Sequence, residues 1–129
     1  MKNIFHESYY KNVLVLAYLG DSVFSLMVRK YLIEHNNLKP NGLNKIANSV
    51  VCAKTQAKIM DELKGELSND ELDIMLRARN SHTNSKAKNS SVEEYNKATQ
   101  FEALIGYWFL NNDEDRLADV FDKYVVGRL

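Results

Sequence analysis

Apolar residues recur every three to four positions over most of this chain, the repeat of an α-helix packed along one side. The densest stretch is Val13–Val28, VLVLAYLGDSVFSLMV, in which Asp21 is the one charged residue. Apolar positions 13, 16, 17, 23, 24, 27, 28 and 31, with Gly20 among them, follow the helical repeat, and further apolar residues fill the other faces. The pattern predicts a long helix over Ser8–Glu34 that is buried nearly all round. Asn36–Gly42 reads as a turn, Leu43–Val51 as a short helix and Ala53–Leu67 as another, with Gln56, Ile59, Met60 and Leu63 at helical spacing. Two capping boxes follow, Ser68–Glu71 (SNDE) and Ser91–Glu94 (SVEE). They open helices running to about Arg79, with Leu72, Met75 and Leu76 as its stripe, and over about Val92–Leu110. Between them Asn80–Ser91 is polar and has no period, a loop of a length that is usually functional or disordered. A last amphipathic helix, about Asp113–Val126, carries Leu117, Val120, Phe121 and Tyr124. No segment alternates as a strand would. The expectation is an all-α fold of about six to seven helices without a sheet, in a single domain over residues 1–129.

Composition agrees with that reading and narrows the function. One proline and five glycines leave long helices uninterrupted, and 45% hydrophobic residues suffice for a real core. Seventeen basic and seventeen acidic residues give a formal net charge of zero. That balance argues against coating nucleic acid by bulk charge, although local patches remain open. Arg77–Lys97 is richer in bases than the rest. The lone cysteine, Cys52, allows neither a disulfide within the chain nor a cysteine metal cage, which fits a reducing cytoplasm. Its neighbours Val50, Val51 and Ala53 predict a packed thiol. The N-terminus does not read as a signal peptide, and Val13–Val28 is too short and too interrupted for a membrane span.

Several chemistries lack their residues. His6, His35 and His82 form no i, i+4 pair, and there is neither a Gly-x-Ser-x-Gly elbow nor a glycine-rich phosphate loop. What remains is a pair of acids. Asp21 stands alone in its apolar stretch, and Glu102 stands alone in FEALIGYWFL, Phe101–Leu110. An ionised carboxylate in apolar surroundings costs several kcal/mol or more, roughly, unless it is compensated. Two such acids suggest that they meet and hold a metal ion. A helix cap or an arginine partner would also account for either one. Oxygen ligands at an open site suit Mg²⁺ or Mn²⁺, and such an ion beside basic residues suits phosphodiester hydrolysis. Tyr95, Thr99, Glu102 and Gly106 share one helix face, and Gly20 leaves room for a close approach beside Asp21. Lys54 and Lys58 lie one turn apart, either facing a ligand or forming a solvated face.

These motifs resemble a known family. Leu16–Phe24 (LAYLGDSVF) is similar to the signature helix of the ribonuclease III family, and Phe101–Gly106 (FEALIG) resembles its second acidic helix. Arg77–Asn80 (RARN) and Val51–Ala57 (VCAKTQA) resemble segments of Mini-ribonuclease III, the bacterial subfamily made of the catalytic domain alone. The resemblance covers about Tyr10 to Tyr124. It implies a homodimeric, Mg²⁺-dependent endonuclease (Mn²⁺ being possible) that cleaves double-stranded RNA to 5′-phosphate and 3′-hydroxyl ends. The implied substrate is precursor 23S ribosomal RNA. By position Asp21 and Glu102 become catalytic residues and metal ligands, supported by Gly20 and Thr99. The wider family has acids where this chain has Ala17 and Thr99, a thinning shared by the subfamily; it leaves more of a metal's shell to water and the number of metals open. Without a double-stranded-RNA-binding domain, RNA affinity would come from Lys54, Lys58, Arg77, Arg79, Asn80, Lys86 and Lys88. The apolar surplus of the first helix would form the dimer interface. A non-catalytic RNA-binding protein of the same fold is the alternative, though it has no reason to keep both acids.

Overall fold

A computed structural model describes residues 12–81 and 91–129, and among them every regular element is helical. The first helix, α1, spans Val13–His35 and starts where Asn12 accepts hydrogen bonds from the amides of Leu14 and Val15, at 3.2 and 3.4 Å. Its start is therefore a capped end at Asn12; residues 8–11 of the predicted helix lie outside the described residues. Helix α2, Pro40–Val51, begins three residues before the predicted Leu43 because Pro40 occupies its first turn, where a missing N–H costs nothing. Cys52 takes an extended conformation and separates α2 from α3, Ala53–Leu63. A tight turn over Lys64–Glu66 follows. Both capping boxes form as read. Ser68 opens α4, Asn69–Arg79, and Ser91 opens α5, Val92–Leu110. Asn112 then adopts φ 57°, a left-handed conformation that asparagine tolerates better than most residues, and turns the chain. The predicted last helix is shorter than expected: α6 covers Glu114–Val120, and a widened turn over Phe121–Val125 and a tight one over Val126–Arg128 continue it.

The centre of the molecule is α5. From Ala98 to Trp108 every residue but Glu102 is buried, and α1, α3 and α4 pack around it. Phe101, Leu104, Ile105 and Trp108 are closed to solvent, and Phe24 of α1 meets Phe101 edge-on with centroids 5.0 Å apart. The pairing of α1 with α5 is the most extensive between any two helices. Two glycines permit it. A Cβ on Gly20 would collide with the Glu102 carbonyl, and a Cβ on Gly106 would collide with the Leu16 carbonyl, so the backbones touch where each helix lacks a side chain.

Three expectations about burial fail. Helix α1 is two-sided: Leu16, Val23, Phe24, Val28 and Leu32 are buried, whereas Val15, Tyr18, Leu26 and Ile33 are 55, 83, 64 and 64% exposed. On α4, Leu72 faces outward and Ile74, Met75 and Ala78 form the inner stripe with Glu71. Cys52 is exposed, because the break between α2 and α3 turns it away from the core. Its thiol reaches the Ser49 carbonyl at 3.6 Å and the Thr55 hydroxyl at 3.3 Å.

Candidate active site

Asp21 sits one residue beyond Gly20 on α1, and Glu102 sits on α5 at the carbonyl against which Gly20 is pressed. The helix crossing that needs a glycine is thus the feature that brings the acids together. Their carboxyl groups lie within hydrogen-bonding reach of each other. Asp21 is exposed and Glu102 only partly so; the apolar run around Asp21 does not bury it. Burial lifts the Glu102 carboxyl most, the hydrogen bond and charge of Asp21 lift it further, and a hydrogen bond from Gln56 pulls the other way. The balance pushes it up to about 8, so at neutral pH this carboxyl is mainly protonated. Among the described residues the groups that act on the Glu102 carboxyl are Asp21 and Gln56, with no lysine or arginine among them.

Two carboxylates side by side cannot both ionise cheaply without a cation. A divalent ion removes that conflict, and the donor chemistry fits Mg²⁺, which needs few protein ligands and keeps several waters. Among the described residues no third histidine, cysteine or acid joins the pair. Thr99 is buried on the same helix, but its hydroxyl donates to the Tyr95 carbonyl at 2.9 Å and so serves its own helix.

The other site candidates are dispersed. Lys54 and Lys58 are exposed on α3 and make no ion pair among the described residues. Arg77 pairs with Asp73 at 3.6 Å on α4. Arg79 is exposed at the end of α4, and its carbonyl accepts from the Asn96 side chain of α5 at 3.2 Å. Asn80 closes the helix through its amide. Lys86 and Lys88 lie outside the described residues.

Two features escaped the sequence reading. Gln56 stands at helical spacing with Ile59, Met60 and Leu63, and nothing in the sequence sets it at the acids. In the sequence Glu71 is fully accounted for as the last residue of a capping box. It is in fact buried, and it accepts from Ser68 N at 2.9 Å, Trp108 Nε1 at 2.8 Å, and Arg116 Nε and Nη2 at 3.0 Å each. Burial pushes this carboxyl up, but the donors from Arg116, Ser68 and Trp108 outweigh it and hold it below the usual glutamate range.

The model of the Ribonuclease III domain matches residues 14–113. A Mini-ribonuclease 3 of Brevibacillus brevis is 46% identical over 112 residues, spanning 87% of this chain and 84% of the relative. The chain belongs to the ribonuclease III family, in its Mini-ribonuclease III branch. A second Mini-ribonuclease 3, from Staphylococcus aureus, is 37% identical over 89% of this chain and 87% of its own length. The fold of the chain also matches a crystal structure of a Fusobacterium nucleatum protein, with a TM-score of 0.82 and 31% identity, covering 92% of this chain and 94% of that one. Family membership makes the chain an endoribonuclease of the ribonuclease III type. No described helix is long and apolar enough to cross a membrane.

Proposed function

We propose that the chain is a Mg²⁺-dependent endoribonuclease of double-stranded RNA whose reaction centre is the Asp21–Glu102 pair. The observation that carries this reading is the contact between the two carboxyls, with no lysine or arginine among the described residues that act on Glu102. Asp21, the exposed member, and Glu102, the partly buried one, would hold the ion, with Mn²⁺ able to replace it. A bound ion of this kind supplies an activated water and offsets charge on the phosphate being cleaved. The protein's own part is rigidity. Gly20 and Gly106 lock α1 onto α5, so the acids are held on two helices rather than on loops. Hydrolysis would leave 5′-phosphate and 3′-hydroxyl ends, and the substrate is the precursor of 23S ribosomal RNA in the cytoplasm.

RNA would be held through its phosphates by exposed bases, Lys54, Lys58 and Arg79 among those described, with Arg77 and Asn80 preceding Lys86 and Lys88 in the sequence. We read residues 1–129 as one catalytic domain. The exposed apolar face of α1 supports a homodimer: Leu14, Val15, Tyr18, Leu26 and Ile33 line it, and it runs into a groove between α1 and α2 lined by Arg29, Leu32, Pro40 and Leu43. Several exposed apolar side chains on one helix face, continued by a groove, are the kind of surface that marks an interface. A monomer in sedimentation velocity at micromolar concentration would contradict the dimer.

The test of function is incubation with structured precursor ribosomal RNA, with Mg²⁺ or with EDTA. Discrete cuts that need Mg²⁺ are expected. Binding without cuts would instead support a non-catalytic RNA-binding protein, and neither would overturn the reading altogether.

A further inference from the structure

Gln56 is 1% exposed, on a face of α3 whose other inward residues, Ile59, Met60 and Leu63, are apolar. A carboxamide in such a place is costly unless it finds hydrogen-bond partners. Its Nε2 donates to the Val51 carbonyl at 2.9 Å. Val51 is the last residue of α2, so this bond satisfies a carbonyl left over at a helix end. A carbonyl can only accept, which fixes the amide nitrogen on this side. That nitrogen carries a second hydrogen, and the Glu102 carboxyl lies within its reach.

We propose that Gln56 is a positioning residue: anchored on the end of α2, its carboxamide holds the Glu102 carboxylate turned toward Asp21 for a divalent cation. The proposal rests on the reading of the acid pair as a metal site. The residue type suits the task. A lysine or arginine here would steady the carboxylate but repel the incoming cation, and an acid would add a third like charge. A neutral donor steadies the ionised oxygen and leaves its other lone pairs for the ion. Partners of metal ligands commonly work in this way, and their loss typically weakens metal binding about 10–100-fold.

The experiment is Mn²⁺ binding to the metal-free full chain, followed by the electron paramagnetic resonance signal of free Mn²⁺. The proteins are wild type, Gln56→Met, Glu102→Gln and the double variant. Gln56→Met is expected to weaken binding about tenfold while keeping wild-type helical circular dichroism. In the Glu102→Gln background the same substitution is expected to change nothing further. Wild-type Mn²⁺ affinity in Gln56→Met, or an equal loss in both backgrounds, overturns the role of Gln56 alone. Equal Mn²⁺ binding by wild type and Glu102→Gln overturns the metal reading, and the role of Gln56 with it. Should Gln56→Met not fold, Mg²⁺ titration of wild type decides the matter. The two side-chain amide protons of Gln56 are expected to shift in step with the Glu102 resonance, and their standing still overturns the proposal.

Discussion

Glu71 and Glu102 are glutamates on helices packed around the same core, and their surroundings are opposite. Glu71 accepts four hydrogen bonds from Ser68, Trp108 and Arg116, and the Arg116 guanidinium also lies over the Trp108 ring, 5.2 Å from its centroid. Its charge is fully matched and its carboxyl titrates below the usual range. Among the described residues Glu102 faces another acid and a single amide, and its carboxyl is pushed up to about 8. A buried acid whose partners are all present holds a fold together. An acid left beside a like charge is expensive to the fold, and such sites are where function is found.

Breaking each acid should therefore have opposite consequences. Asp21→Asn or Glu102→Gln is expected to reduce RNA cleavage about a thousandfold or more, since on the proposed reading each removes a charge that would hold the metal. Metal-free Glu102→Gln should unfold no earlier than wild type at pH 8. Glu71→Gln should do the reverse. Urea denaturation at pH 7 should show a loss of about 2 kcal/mol, because the Trp108 indole and the half-buried Arg116 guanidinium lose the charged acceptor they share, while Arg116 keeps its pairing with Glu66. The folded fraction should still cleave normally.

The scaffold of the comparison can be broken next. Gly20→Ala places a methyl group against the Glu102 carbonyl and should cost about 3 kcal/mol. It should also lower cleavage at temperatures where the variant remains folded, because the helices that carry the acids are pushed apart. Gly65→Ala, where a Cβ meets nothing, is the control and should leave both unchanged.

The two acids should also separate by pH. Glu102 holds its proton in the folded state to a higher pH than in the unfolded chain. Its contribution is complete below the ordinary glutamate value of about 4.5 and is lost as pH rises toward about 8. Glu71 has the opposite sign: its contribution is present above its ordinary value and is lost on acidification through its lowered one. Thermal melts of metal-free protein should therefore lose stability from pH 5 to pH 8, and Glu102→Gln should flatten that slope. Glu71→Gln should keep it and lose instead part of the acid-side fall. The smallest effect belongs to the exposed bases. Lys54→Ala with Lys58→Ala should leave unfolding unchanged and lower the salt dependence of RNA binding by about one unit of slope for each phosphate these lysines neutralise.

The two acids were also unequally legible in the sequence. Glu102 stood out because local pattern exposes it: one charge in ten residues of apolar helix. Glu71 did not, because an acid three residues after a serine is fully explained as a cap, and nothing local shows that Trp108 and Arg116 converge on it. The capping boxes and α5 were legible to the residue for the same reason, since caps act within four residues. Which face of an apolar helix turns inward is a tertiary fact. For that reason the outward side of α1, the exposure of Leu72 and the turning-out of Cys52 were all misread. Gly20 signalled a close approach; that Gly106 is its reciprocal follows only from the crossing. The densest apolar stretch is not the centre either: α5 is the helix the others surround, and α1 supplies its partner acid.

The central claim is that Asp21 and Glu102 form one metal-binding unit. Its most direct test is carbon-13 detection of the Glu102 carboxyl in the metal-free protein at pH 7, followed by titration with Mg²⁺. A mainly protonated carboxyl that ionises as Mg²⁺ is added, and that loses this response in Asp21→Asn, is the predicted result. A carboxyl already ionised at pH 7 and indifferent to Mg²⁺ would contradict the account.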